Sequence, residues 1–352
     1  MGSKPTGLFL GIALISSGTA VAPVKADAIA DFYRGKTVTI HVGAGVGSGV
    51  DLATRMVARN LARHIPGRPT VLVKNMIGGG GLQLFNYLYG IAPKDGTEFG
   101  SVVQFPFEYL FDAWNTKALF DAAKFTWVGG PVDFAAVAVA WNASTPVRKA
   151  EDLLAHELIV AGSTATSGSA TDAYVTRNIL GFKYKVVLGY PGGAELDLAM
   201  VRGETQGRAQ LSWPALKQRS PQWMTENKLS VLYQMGLKKS ADIPAHIPLL
   251  LDFAKSPEDR AVLELKFATY SMGYPIFGTP GIPADRLAAL RRALTQALAD
   301  PITRTDAAKL RIDIDPVAGD AMESMVSMAA AAPPAIVSRL IEASKPSELT
   351  AP

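Results

Sequence analysis

A chain of 352 residues, 48% hydrophobic and 19% charged, is long enough for two domains with a core each and has the composition of an ordinary globular protein. It has no cysteine, which excludes disulfides, thiolate-bound metals, iron–sulfur clusters and thiol nucleophiles together. The four histidines, His41, His64, His156 and His246, are scattered without H-E-x-x-H spacing, and the net charge of +4 comes without a long Lys/Arg run; a histidine metal site or triad has little to draw on, and nucleic acid is not expected as a partner.

Residues 1–26 read as a secretory signal peptide: Lys4 gives a basic start, Gly7 to Ala22 is mostly apolar, and Val24-Lys25-Ala26 offers small residues for cleavage, with Ala28 a second exit. The apolar run is broken by Ser16, Ser17, Gly18 and Thr19, so a permanent membrane span is the weaker reading. Without Lys4 and Lys25 the mature chain carries 33 basic and 31 acidic side chains, and a soluble exported protein is expected.

From Lys36 onward short apolar strands alternate with amphipathic helices, the pattern of open α/β sheets. Strands are expected at Thr37–Val42, Thr70–Val73 and Phe99–Val103, with helices at Asp51–His64 and from Leu82 through Tyr89. A second series begins near Ala135, with strands at Ala135–Ala140, Leu158–Ala161, Lys185–Leu188, Gly207–Leu211 and Leu229–Gln234 and helices through Leu180 and over Ala194–Arg202. Ser271–Phe277 reads as an extended crossing segment. Pro283 then opens a helix whose register holds Leu287, Leu290, Leu294 and Leu298, and Ala321–Ala332 reads as a core-packing helix interrupted at Pro333-Pro334. The spacing predicts residues 27–133 and 272–352 in one lobe and 134–271 in the other, joined by crossing hinge strands, with a cleft between them.

Four Gly/Ser-rich loops stand where an α/β fold binds ligands. Gly43–Gly49, Asn75–Gly81, Ser163–Ser169 and Gly189–Gly193 each follow a strand and precede a helix, two in each lobe. Such turns gather at the carboxyl ends of the strands, where backbone N–H groups can wrap an anion. None is a nucleotide motif: the third glycine of G-x-G-x-x-G fails in every register of the first loop, and Gly35-Lys36-Thr37 lacks the upstream Walker glycine, position 30 being Ala30. No G-x-S-x-G elbow or S-x-x-K pair is present. Backbone donors to a carboxylate give about 1.5–3 kcal/mol each, so a few suffice for micromolar binding without a buried Lys or Arg. Asp51 reads as a helix cap. Arg208, flanked at alternate positions by Gln206 and Gln210, is either a surface or salt-bridged arginine or a cation facing the cleft. Tyr190, Trp213, Phe105, Phe107 and Tyr274 are either core residues or the lining of an apolar slot.

At these loops the sequence resembles the substrate-binding receptors of tripartite tricarboxylate transporters, the Bug proteins. The resemblance runs over about residues 31–345 and is carried by Val42 to Asp51, Asn75-Met76 through Gly80-Gly81, Asn86-Tyr87-Leu88-Tyr89 with Ala92-Pro93-Lys94-Asp95-Gly96-Thr97, Gly189-Tyr190-Pro191-Gly192-Gly193, Gly203 to Arg208 with Ser212-Trp213, and Pro280-Gly281-Ile282-Pro283-Ala284. It implies a two-lobed periplasmic-binding-protein (Venus flytrap) fold, two open α/β sheets that close on a small carboxylic acid. It further implies a monomeric receptor in the periplasm that hands its solute to integral-membrane permease subunits, with neither catalysis nor cofactor. Carried onto this chain, it points to Gly47, Ser48, Gly80 and Gly81 in the first lobe and to Ser167, Gly168, Ser169, Tyr190 and Gly192 in the second; Gln104, Arg208 and Trp213 complete the candidate set. Val46 and Ser48 replace the smaller Ala and Gly frequent in the first loop of such receptors, Leu82 replaces an Asn, and Asp172 stands where many have His. The rival readings are a ligand-sensing subunit of a signalling system and a cofactor-dependent α/β enzyme.

Overall fold

The computed structural model describes residues 1–2, 24–111, 118–132 and 135–346; residues 3–23 of the expected signal peptide lie outside them. Helix α1 (Val24–Tyr33) leads into the first unit: β1 (Thr37–Val42), α2 (Gly49–Leu61), β2 (Thr70–Asn75), α3 (Leu82–Gly90), β3 (Glu98–Ser101) and β4 (Thr126–Gly130). The second unit has β5 (Ala136–Trp141), β6 (Leu158–Ala161), α4 (Gly168–Leu180), β7 (Tyr184–Val187), α5 (Gly193–Val201), β8 (Gly207–Ser212), α6 (Trp213–Arg219), α7 (Gln222–Thr225) and β9 (Leu229–Met235). After α8 (Pro257–Phe267) the chain returns as β10 (Ile276–Gly278), α9 (Ala284–Ala299), α10 (Pro301–Leu310), β11 (Val317–Ala318), α11 (Gly319–Ala330) and α12 (Pro334–Ala343).

These elements form two sheets, ordered β11-β4-β10-β3-β1-β2 and β7-β6-β8-β5-β9. In the first, β1 pairs in parallel with β2 and β3, and β10 lies antiparallel between β3 and β4. In the second, β6 pairs in parallel with β7 and β8, and β5 lies antiparallel between β8 and β9. Each sheet therefore repeats one βαβαβ arrangement, and its antiparallel strand arrives from the other sheet.

Burial explains the local choices. In α2 the spacing of Val50, Ala53, Met56, Val57 and Leu61 puts one apolar face on the core, and α9 buries Leu290, Leu294 and Leu298 in the expected register. Strand β5, AVAVAW, is buried at every position, as suits a strand covered on both faces. The second sheet adds a smaller cluster in which Val137, Val139 and Leu211 pack with Trp213.

The structure departs from the expected elements in several places. Ser271–Phe277 is not continuously extended: residues Ala268–Met272 form a 3-10 turn and only Ile276–Gly278 is strand. β4 and α8 were not expected, the first because Gly129-Gly130 dilutes its strand pattern, the second because charged Asp259 and Lys266 fall on its buried face. Helix α11 buries Met322, Val326 and Ala329, and α12 follows it across a 93° bend at the prolines. α12 then packs against α8 and α4 rather than returning to the first sheet. Its apolar face finds its partners there, and the Asn178 amide donates to Ala343 O at 2.9 Å. Among the described residues no single helix is long and apolar enough to cross a membrane.

Candidate functional site

The carboxyl ends of β1, β2, β6 and β7 carry the four loops, and each loop feeds the N-terminus of a helix. The first N–H groups of an α-helix have no intrahelical partner and carry the positive end of its dipole. Helices α2, α3, α4 and α5 thus present four sets of such donors, two from each sheet.

The first loop is held from beneath. Ser48 is the N-cap of α2, its hydroxyl accepting from Asp51 N at 3.4 Å. The buried Asp51 carboxylate accepts from Gly47 N at 2.9 Å, Asn75 Nδ2 at 2.9 Å and Arg55 Nε at 3.0 Å. Burial works to raise the Asp51 pKa, but these hydrogen bonds outweigh it and hold the carboxyl below its usual range. Asn75 also donates to Ala44 O at 2.9 Å and accepts from Arg55 at 2.7 Å, which staples the first loop to the second. Asp51 is thus part of the N-terminal capping arrangement expected for it, and its charge is consumed by the loop it shapes.

In the second loop Gly79, Gly80 and Gly81 have φ of 55°, 66° and 101°, a run that residues with a Cβ adopt only under strain. A Cβ on Gly80 would meet open space, and so would one on Gly47. The third loop uses its own hydroxyls. Ser167 Oγ donates to Thr164 O at 2.7 Å and lies 2.9 Å from Ser169 Oγ, which accepts from Ser163 N at 3.2 Å. The fourth loop is laced to the third through Gly189 N to Ser163 O (3.2 Å) and Tyr190 N to Gly162 O (3.4 Å). The Tyr190 hydroxyl donates to Glu204 at 3.3 Å, and burial and this carboxylate raise its pKa.

Among the described residues the two walls meet at several points, two of them beside the loops. Gln104, just past β3, accepts through Oε1 from Gln210 Nε2 of β8 at 3.2 Å, and a Cβ on Gly168 would lie 2.8 Å from Gln104 Nε2. Tyr274, just before β10, places its hydroxyl 3.3 Å from Ser212 Oγ, and a Cβ on Gly49 would come within 2.5 Å of it. Burial raises the Tyr274 pKa, so the phenol stays neutral. Gly168 is where the opposite wall approaches too closely for a side chain; at Gly49 the close neighbour is Tyr274 of the same unit.

Of the expected site residues, Gly47, Ser48, Gly80, Gly81, Ser167, Gly168, Ser169 and Gly192 lie on the four loops or the helix starts that follow them, and Gln104 reaches across. Arg208 and Trp213 do not join them. The Arg208 guanidinium is buried, forms a close ion pair with Asp197 and donates to Gly193 O at 3.2 Å, while Arg219 holds the other Asp197 oxygen at 2.9 Å. The salt-bridged reading of Arg208 is therefore the one the structure shows. Trp213 opens α6; its ring packs in the smaller cluster and its indole N–H donates to Asp242 O at 3.2 Å. Phe105 and Phe107 are core residues. Sequence reasoning did not single out Gln210 or Ser212 as cleft residues, because a register shift in the β5–β8 pairing between Arg208 and Leu211 breaks the period of two that would link them to Arg208.

Four basic groups near the loops are matched by acids: Arg55 by Asp51, Arg208 and Arg219 by Asp197, and Lys266 by Asp172. Backbone N–H groups, hydroxyls and the two glutamine amides remain beside the loops, with the Glu195 carboxylate close to Gly192. Such a wall binds an anion through directed, uncharged donors rather than a counter-charge.

No family model matches the chain. Over 249 residues it is 26% identical to the UPF0065 protein in the gbd 5′ region of Cupriavidus necator, covering 68% of this chain and 71% of that protein. Among solved structures it resembles MatC from Rhodopseudomonas palustris with bound malate (TM-score 0.62, 17% identity, 88% of this chain and 99% of that one). It also resembles an R. palustris protein with adipate (TM-score 0.64, 18% identity, 87% and 97%). The fold is that of the TctC and Bug periplasmic binding proteins, which are among these neighbours.

Proposed function

We propose that this chain is a periplasmic solute receptor of the tripartite tricarboxylate type, which captures a small carboxylic acid between its two sheets and delivers it to membrane permease subunits. The observation that carries the reading is the convergence of four helix N-termini, two from each wall, on a gap bridged by Gln104 and Gln210. The similarity to proteins solved with malate and adipate supports the ligand class. Gly47, Ser48, Gly80 and Gly81 would hold the acid from the first lobe (27–133 and 272–333), and Ser167, Gly168, Ser169, Tyr190 and Gly192 from the second (134–271, with α12 packed on it), with Gln104 between. Arg208 and Trp213 act from behind this wall, one beneath the start of α5 and the other in the core. Export through the signal peptide at residues 1–26 and action as a monomer belong to the same reading. Binding draws the lobes together, and the closed form is what the permease selects.

Titration calorimetry of the purified protein with malate, adipate, aromatic monocarboxylates, amino acids and sugars tests it. An acid should bind with a dissociation constant in the micromolar range. Binding of another solute class, with no acid bound at millimolar concentration, would refute the reading.

A further inference from the structure

One buried charge cluster joins α4 to the end of α8 and the turn that follows it. Asp172, Lys266 and Tyr270 are 0%, 1% and 1% exposed. The Lys266 ammonium lies 3.2 Å from Asp172 Oδ1 and donates to the Thr171 hydroxyl at 3.0 Å, and the Tyr270 hydroxyl donates to Asp172 Oδ2. Desolvating two ions is costly enough that well-packed apolar residues in their place often leave stability unchanged or improved. Cohesion alone therefore does not account for the pair.

Its placement does. Thr171 and Asp172 lie in α4 just behind its first turn, where the Ala170 and Thr171 amides both donate to Ser167 O at 2.9 Å. Lys266 and Tyr270 bracket the point where the chain leaves α8 to cross back to the first sheet. The same stretch holds Thr269, whose hydroxyl donates to Phe105 O beside Gln104, and it ends at Tyr274 against Ser212 and Gly49. Between them Gly273, at φ 63° and ψ −136°, has a backbone conformation that favours glycine. One short segment thus contacts α4, the Gln104 strand end and the start of α2.

We propose that Asp172, Lys266 and Tyr270 are positioning residues for solute capture. They make the first turn of α4 and the crossing segment 266–272 a single rigid piece that pivots at Gly273, so the Gly168 and Ser169 amides move with the hinge. The inference rests on the receptor reading above, and its test separates the two. Tyr270→Phe removes one hydroxyl; the double variant Asp172→Leu/Lys266→Met replaces the pair with apolar side chains of similar length, and if it does not fold the single variant decides. Amide hydrogen exchange on the solute-free protein should show Ala170 and Thr171 exchanging at least about tenfold faster, with β6 unchanged. Calorimetry with adipate should show binding about tenfold weaker at an unchanged melting midpoint. Unaltered exchange at Ala170 and Thr171, or faster exchange throughout the second sheet, would overturn the proposal. Wild-type protein that binds neither adipate nor any other acid refutes the receptor reading alone, and the exchange data still decide the coupling.

Discussion

Gly168→Ala separates the fold from the cleft. A methyl group there would sit 2.8 Å from Gln104 Nε2 and 3.3 Å from Gln104 Cδ, so something must move, and the atoms in the way are the end of a flexible side chain. Position 168 opens α4, where alanine is a better helix former than glycine by up to about 1 kcal/mol. The fold should therefore hold or gain slightly, while Gln104 swings aside and loses its bond to Gln210. That bond contributes about 0.5–1.5 kcal/mol net, or roughly two- to tenfold in the solute dissociation constant if closure depends on it. Calorimetry and thermal melts of Gly168→Ala, Gln104→Ala and the double variant form a cycle. With Gln104 already shortened the added methyl should cost little more, so the two effects should not add. Full additivity, or a fall in melting midpoint of several degrees, would refute the argument that Gln104 absorbs the clash.

Other expectations follow from the same geometry. Gly80→Ala meets no neighbour but is held at φ 66°, so backbone strain alone should cost about 1 kcal/mol, visible in denaturant melts; an unchanged midpoint would count against it. Arg208→Ala strands part of the Asp197 charge beneath α5 and should destabilise by about 3 kcal/mol. A tenfold loss of acid affinity with stability intact would instead place Arg208 in direct contact with the solute. Because the folded pKa of Asp51 is depressed, its contribution is complete above the unfolded carboxyl value near 4 and is lost as pH falls through the lower folded value. Asp51→Asn should therefore melt below wild type at neutral pH, and the difference should close under acid; a constant gap from pH 7 to pH 2 would contradict the sign. Since uncharged donors face the gap, raising salt from about 0.05 to 0.5 M should weaken acid binding less than about threefold, whereas a binding cation in the wall would make it much more salt-dependent.

Local rules made the loops legible. Glycine and serine between an apolar strand and a helical repeat report a βα turn, and all four turns stand at strand carboxyl ends. Leu158–Ala161 was readable to the residue because its apolar run has clear edges. Long-range pairing hid the rest. Nothing near Arg208 names Asp197 as its partner, and the 3-10 turn at Ala268–Met272 is held by a tyrosine bonded to an aspartate 98 residues away. Strand β4 is masked by glycines whose reason is remote: a Cβ on Gly129 would strike Val317 O at 2.8 Å, and one on Gly130 would strike Tyr274 O at 2.9 Å.

The topology explains why the cleft and the hinge are one place. Antiparallel insertion sets the start of β10, Ile276, beside the end of β3, Ser101, and the start of β5, Ala136, beside the end of β8, Ser212. Both crossing connections therefore reach the sheets at the carboxyl ends that carry the ligand loops. Gln104 and Tyr274 flank the first of these junctions, and Gln210 and Ser212 the second. A rotation of one sheet against the other pivots at these junctions, so the Gln104–Gln210 and Tyr274–Ser212 pairs stay close while separations farther from the junctions change more. On the proposed receptor reading, a solute seated between the four helix N-termini would bear on the walls beside the hinge itself, and capture would need no relay through the outer helices to reach it.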